Sequence, residues 1–477
     1  MAKTFFFYDL ETSGLDPRND RIMQFAGIRT DMELQPIGDP YNILVKLNDD
    51  TLPSPEALMV TGITPQQTQA DGYTEAEFAK LLVEEIFTPD TIATGFNSIR
   101  FDDEFVRHLL WRNFYDPYEW SWKDGRSRWD LFDVTRMTRA LRPEGIEWPV
   151  VDGKAVNKLE LMTKMNGLEH EKAHDALSDV EALISVTGLI KAKQPQLYEY
   201  LLKMRDKKEV MQLVNLDNKQ PFVYVSGRYD AEFNKATVAF PLTSGRNSTV
   251  VVYDLRYDPT PYASLSVDEL KAKLYATWDE RQADGFLRIP VKELHHNKAP
   301  AVAPLGVLEQ QGGWEKVQLD KEMIEKHKSL LLAAPAFAEN MRSVFEQRPE
   351  FKKATEPEAQ LYDSFLQDRD RLRIETVRNA SVRELADFHP EFSDERLEPL
   401  LLHYKARNFP QSLSQDESHQ WDAWRAKRLA SQLPKFMQSL TKLAAAEQDE
   451  SKQFILQEMH LWAESIIPSD TSDQDSE

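Results

Sequence analysis

The sequence predicts an α/β domain at the N-terminus, a β-rich domain in the middle and an all-α domain at the C-terminus. Three observations carry this. Apolar, β-favouring runs alternate with helical patterns over 1–193; short Val-, Phe- and Tyr-rich runs recur from Phe222 to Val291; and beyond Pro349 only amphipathic helical patterns remain. The expected boundaries are 1–193, 194–348 and 349–468, and a length of 477 residues suits about three domains. Ser469–Glu477 is acidic, polar and without apolar anchors, and is expected as a disordered tail.

The first strand is Thr4–Thr12, an aromatic run that ends in Asp9-Leu10-Glu11. Residues two apart on a strand share a face, so Asp9 and Glu11 project together. Adjacent carboxylates repel, and burial adds to the cost of their charge, which makes a divalent cation between them economical. Taken alone, Asp-x-Glu equally describes a strand end meeting water. Further strands are expected at Ile22–Arg29 and Tyr41–Lys46, a helix over Ala70–Phe87, and a strand over Thr91–Asn97. Phe101–Phe105 opens the next helix and sets Asp102 at its start, where a sheet edge meets a helix. That position suits a metal ligand, and equally an acid complementing the helix dipole.

From Arg107 to Arg136, Trp111, Tyr118, Trp120, Trp122 and Trp129 are interleaved with Arg107, Arg112, Arg126, Arg128 and Arg136. Single-stranded nucleic acid is held by such a mixture, with bases stacked on rings and cations along the phosphates, although part of the aromatic set must be core. A helix over Leu159–Asn166 stops at Gly167, and His174-Asp175-Ala176-Leu177-Ser178-Asp179 leads into a helix reaching Ile190.

Strands at Phe222–Gly227, Ala236–Pro241, Thr249–Leu255 and Phe286–Val291, with a helix at Val267–Thr277, describe a small barrel-like domain. His295 and His296 diverge on a strand and have no accompanying carboxylate motif, so they are not read as ligands. The C-terminal helices are expected at Glu358–Phe365, Ser381–Phe388, Glu395–Tyr404, Glu417–Ser431 and Lys452–Ile466, bracing the other domains.

The absence of cysteine excludes disulfides, thiolate–zinc sites and cysteine nucleophiles. No run of about 18 apolar residues and no basic-then-apolar leader is present, so neither a membrane span nor a signal peptide is expected and a cytoplasmic location is. A net charge of −21 argues against a nucleic-acid partner only globally, since a basic groove can sit on an acidic body.

Asp9-x-Glu11, Asn97 with Phe101-Asp102-x-x-Phe105, and His174-x4-Asp179 stand in a fixed order. Together they resemble the DEDDh branch of the DnaQ-like 3′→5′ exonucleases, which implies an RNase H-like mixed sheet flanked by helices. Thr61-Gly62-Ile63-Thr64-Pro65, Arg112–Tyr118, Ala140–Gly145 and Ala406–Pro410 further resemble the bacterial exodeoxyribonuclease I family over essentially the full chain, which implies that the middle domain is SH3-like. One departure is Lys158, where that family carries an arginine that helps to hold substrate: the charge survives but the bidentate fork does not.

The resemblance implies a Mg²⁺-dependent exodeoxyribonuclease that degrades single-stranded DNA 3′→5′ to nucleoside 5′-monophosphates, in DNA repair and recombination. Oxygen ligands select hard cations, Mg²⁺ or in its place Mn²⁺, and a two-metal scheme is expected. Asp9, Glu11 and Asp179 would hold the first, with Asp9 and Asp102 supporting the second, and His174 would be the general base. Glu11, Arg107, Tyr118, Trp122, Arg136 and Lys158 are the candidate substrate contacts. A monomer is expected, with the acidic C-terminal tail of single-stranded DNA-binding protein as partner and Arg142 as a candidate in its docking patch. The alternatives are an RNA exonuclease of the same core and a non-catalytic single-strand-binding scaffold; four acids facing a polyanion speak against the latter. A glycosidase using Asp9 and Glu11 is disfavoured, because nothing else resembles a sugar cleft.

Overall fold

The computed structural model describes residues 2–168, 175–348 and 353–468. It divides into two compact units, one drawn from Met1–Arg126, His170–Glu181 and Lys352–Glu477, the other from Ser127–Glu169 and Ala182–Phe351. His174 and the acidic tail lie outside the described residues.

In the first unit, strands β1 (Thr4–Thr12), β2 (Ile22–Thr30), β3 (Tyr41–Leu44) and β4 (Thr91–Gly95) run in the spatial order β3-β2-β1-β4. β1 is antiparallel to β2 and parallel to β4, with Thr4–Phe7 opposite Thr91–Thr94, so the sheet is mixed. The parallel pair sends the C-terminal ends of β1 and β4 to the same sheet edge. Phe6 and Tyr8 pack with Phe25, Phe78, Phe87, Phe105 and Trp120 in one buried cluster. Asp9 and Glu11 point to the other face.

Gly95 ends β4 because nothing larger fits: a Cβ there would lie 2.6 Å from the Cβ of Ser98. Asn97, in the left-handed region at φ 66°, then turns the chain through Ser98–Arg100 into the helix Asp102–Arg112. That helix therefore begins just beyond the carboxyl edge of the sheet.

The expected single helix over Ala70–Phe87 is corrected to several pieces. Pro65–Asp71 ends at Gly72, Glu75–Leu81 restarts behind a Thr74/Glu77 capping box, and Leu82–Ile86 is π-helical. Reciprocal cap bonds outweigh the continuous apolar period.

The C-terminal helices belong to this same unit. Leu429, Phe436 and Leu440 of the helix Gln415–Ala446, with Leu456, Met459 and Trp462 of Glu450–Ile466, share a core with Met23, Leu47 and Leu58. The first of these helices runs past the expected end at Ser431, straight through Pro434. Proline removes one backbone donor, but packing on both sides of it keeps the helix continuous. Glu358–Phe365 is not a helix: Pro357–Gln360 is one 3₁₀ turn, and Glu358 is buried in an ion network. There Arg21 Nη2 lies 2.7 Å from Glu358, Arg407 Nη2 lies 2.7 Å from Asp50 and 2.5 Å from Glu358, and Arg112 Nη2 lies 2.7 Å from Glu75.

In the second unit an antiparallel five-stranded sheet runs in the order Val291–Leu294, Val250–Asp254, Ala236–Ser244, Phe222–Val225, Ala301–Pro304. The expected strand Phe286–Val291 is displaced to Val291–Leu294. Pro241 sits where the register slips between Val251 and Val252, a place that tolerates its missing N–H. The helices Lys321–Ala333 and Pro335–Glu346 complete this unit, with Phe337 edge-on to Tyr253 at 6.1 Å.

Candidate active site

Asp9, Glu11 and Asp179 each offer a carboxylate oxygen, and these oxygens all lie within 4.8 Å of one another. β1 supplies the first two by simple alternation. The third comes from the first turn of the helix Ala176–Lys193, where Ser178 N–H donates to the Asp175 carboxylate at 3.1 Å and Asp179 N–H to the Asp175 carbonyl at 2.9 Å. Asp175 thus orders the turn that presents Asp179.

The electrostatics follow from this crowding. Burial first, then the charge of Asp179, pushes Asp9 up to about 8, against the opposing pull of the Leu10 N–H. Burial, then Asp9, Asp179 and Asp175, pushes Glu11 up to about 9. Three acids so placed cannot all be ionised at neutral pH without a compensating cation. The donor set is all oxygen, anionic and convergent, which fits a hard divalent ion and not a thiophilic one.

Asp102 is not part of this cluster. It is buried at the first position of the helix Asp102–Arg112, at the same sheet edge. Its neighbour Asp103 is 1% exposed and accepts a 2.5 Å hydrogen bond from the hydroxyl of Tyr8.

The aromatic stretch divides by burial. Trp111, Phe114, Trp120 and Trp129 are core; Trp122 is 63% exposed and Tyr118 half-buried. Arg107 is buried, pairs with Glu104 at 2.7 Å and lies 5.6 Å over the Tyr118 ring, so its charge is already committed. Arg112 is likewise spent on Glu75.

In the second unit, Arg136, Arg139, Asn157, Lys158 and Lys235 line a cleft of about 260 Å³ with Phe132 at its wall. Arg136 stacks 3.5 Å over the Phe132 ring and pairs with Asp133 at 2.8 Å. Arg139 donates to the carbonyls of Val156 and Pro149, fixing the segment that leads to the exposed Lys158. Arg142 is 9% exposed and donates to the carbonyls of Leu141 and Val307.

Sequence reasoning brought Asp9, Glu11 and Asp179 together but missed Asp175 and the Tyr8–Asp103 pair. Signals for both were present: an acid three residues before the first helical N–H to be capped, and a phenol that closes the aromatic run Phe5–Phe7 just before Asp9.

Comparison with known proteins covers the whole length. Residues 6–187 match an exonuclease family model, 205–347 the Exonuclease I SH3-like domain and 355–466 the Exonuclease I C-terminal domain. Exodeoxyribonuclease I of Haemophilus influenzae is 38% identical over 456 residues, 95% of this chain and 96% of the relative. That of Escherichia coli is 37% identical over 473 residues, 97% and 98% of the two chains. The crystal structure of E. coli Exonuclease I in complex with a dA16 oligonucleotide superposes with a TM-score of 0.94 at 37% identity, covering 98% of this chain and 100% of that one. A zinc-ion-bound form of the E. coli complex with ssDNA gives 0.92 and a structure of SSB/Exonuclease I with the inhibitor CFAM gives 0.90, each at 36% identity, 98% of this chain and 100% of the other. The mixed-sheet domain with its paired acids, the SH3-like domain and the helical C-terminal region thus coincide end to end with one family, and the chain belongs to the exodeoxyribonuclease I family.

Proposed function

We propose that this chain removes nucleoside 5′-monophosphates from the 3′ end of single-stranded DNA, and that Asp9, Glu11 and Asp179 hold the divalent metal the reaction needs, Mg²⁺ or Mn²⁺. The observation that carries the reading is the convergence of these three carboxylates within 4.8 Å in a family member. Bound there, the metal would lower the pKa of water and offset charge developing on the phosphate.

The chain's own residues supply the rest. β1 fixes Asp9 and Glu11 on a strand backed by packed aromatic rings, so the donors are held before the ligand arrives. Asp102, at the same sheet edge, is proposed to support a second metal. His174, five positions before Asp179, is proposed as the general base that accepts the water proton. Lys158 is proposed to meet a backbone phosphate as a point charge, with Arg136 as its neighbour in the cleft; Trp122 and Tyr118 offer faces for bases. Arg107 in this reading orients Tyr118 more than it contacts phosphate. The solved structure of SSB/Exonuclease I supports the same partner here, which we propose to bind through its acidic C-terminal tail.

Incubation of 5′-labelled single-stranded DNA with the protein and Mg²⁺ should give a ladder shortening from the 3′ end, with mononucleotide as product. Full activity in EDTA would overturn the metal assignment, and faster loss of a matched RNA would overturn the DNA preference.

A further inference from the structure

We infer that Tyr8 and Asp103 form a positioning pair that sets the direction of Asp102 relative to Asp9 and Glu11; this rests on the reading of the carboxylate cluster as a metal site. Asp9, Glu11 and Asp179 converge directly, whereas Asp102 stands outside their cluster on a separate helix. Its usefulness to that site depends on how the helix is docked.

The dock is chemical as well as apolar. Alternation along β1 puts Tyr8 on the face opposite Asp9, where it is 1% exposed among Phe25 at 6.0 Å and Phe87 at 5.7 Å. Such a ring could be phenylalanine, as Phe5, Phe6 and Phe7 are, were it not for its hydroxyl. That hydroxyl donates to Asp103 at 2.5 Å, across 95 residues of sequence. Asp103 is itself 1% exposed, so the hydrogen bond lies out of water, where it is electrostatically stronger than at the surface.

Asp102 and Asp103 are successive in one helical turn, about 100° apart around the axis. Fixing Asp103 against β1 therefore fixes the azimuth of Asp102. On the strand, Tyr8 is the residue next to Asp9, so one hydrogen bond references the Asp102 helix to the strand that carries two of the three clustered acids. The close turn at Gly95, whose Cβ position also lies 3.2 Å from the Tyr8 carbonyl, brings the same two elements together from the other side.

The experiment is Mn²⁺ titration calorimetry on the full chain, beside steady-state digestion of single-stranded DNA at varied Mn²⁺. For Tyr8→Phe, Mn²⁺ affinity should fall about tenfold and the Mn²⁺ needed for half-maximal rate should rise by a similar factor, the usual scale for removing a group that orients a ligand. KM for DNA should stay within about twofold, because the pair does not touch substrate. Asp103→Asn keeps an Oδ1 acceptor for the Tyr8 hydroxyl and should keep most of the parent's affinity, whereas Asp103→Ala removes it and should lose about as much as Tyr8→Phe, and a Tyr8→Phe/Asp103→Ala double variant should be no worse than Tyr8→Phe alone. Wild-type Mn²⁺ binding and rate profile in Tyr8→Phe would overturn the pair. So would a double variant whose loss of affinity is the sum of the two single losses. If the parent chain shows no Mn²⁺ uptake that Asp9→Asn abolishes, the metal reading itself falls, and the two failures are told apart by that control.

Discussion

Asp9 and Asp179 come from opposite ends of the nuclease segment, yet each places a carboxylate oxygen within 4.8 Å of the other and of Glu11. In the metal-free chain this closeness is a liability. Burial and mutual repulsion raise Asp9 and Glu11 together, so the cluster stores unfavourable free energy that a cation releases.

Neutralising one member should therefore separate stability from function. Asp9→Asn is expected to raise the thermal midpoint of the EDTA-treated protein, abolish the rise that Mg²⁺ or Mn²⁺ gives the parent, and cut DNA hydrolysis by at least about 10²-fold, since charge stabilisation by metal is worth several kcal/mol. Differential scanning calorimetry with and without metal, beside a digestion assay, checks all three.

The ion network around Glu358 behaves in the opposite sense. Burial opposes its charged form, but Arg407 and Arg21, followed by His403, outweigh burial and hold its carboxyl well below the usual range. Asp50 is held down in the same way, by Arg407, Arg21 and Arg428. A depressed folded pKa contributes stability that is present above the unfolded value, about 4 for these side chains, and lost as pH falls through the folded value. Glu358→Gln should then cost roughly 3–5 kcal/mol near pH 7, because it strands buried guanidinium charge. The gap to the parent should narrow below about pH 4, as read by urea denaturation across pH.

Lys158 tests the cleft in the second unit. Lys158→Ala should weaken single-stranded DNA binding and reduce the log–log salt slope by about 0.7, the loss of one phosphate contact. Lys158→Arg should keep the slope and tighten binding, since a fork can grip a phosphate with two hydrogen bonds. Fluorescence anisotropy over a salt series without divalent metal measures both.

Gly95→Ala forces a Cβ to within 2.6 Å of the Cβ of Ser98. Overpacking of this kind costs about 1–3 kcal/mol. Because the turn feeds the Asp102 helix, the loss of activity should exceed what the shift in thermal midpoint explains.

Local pattern was enough for the strand that carries Asp9 and Glu11, because period-two alternation is a property of the backbone. It was also enough for Asp179, one turn inside an apolar-striped helix. It failed where distant residues decide. No window around Pro434 reveals that Leu429 and Phe436 share a core with Met23 and Leu47, yet that packing carries the helix through a proline. Nor could the cations of the Arg107–Arg136 stretch be sorted from sequence into spent and available, since their partners, Glu75 for Arg112 and Asn297 for Arg128, are remote. The single helix over Ala70–Phe87 fails for a nearer reason: the capping box at Thr74 and Glu77 starts a new helix inside the apolar period.

The shared core between the C-terminal helices and the sheet domain bears on how this enzyme could be reused. A gene fragment ending at residue 193 would keep Asp9, Glu11 and Asp179, but it would expose the apolar wall of Met23, Leu47 and Leu58 and leave Arg21 facing no Glu358. Such a fragment is no portable cutting head for fusion proteins. Supplying residues 353–468 as a separate polypeptide should restore its solubility, which would make the helical region an obligate companion in trans as it is in cis.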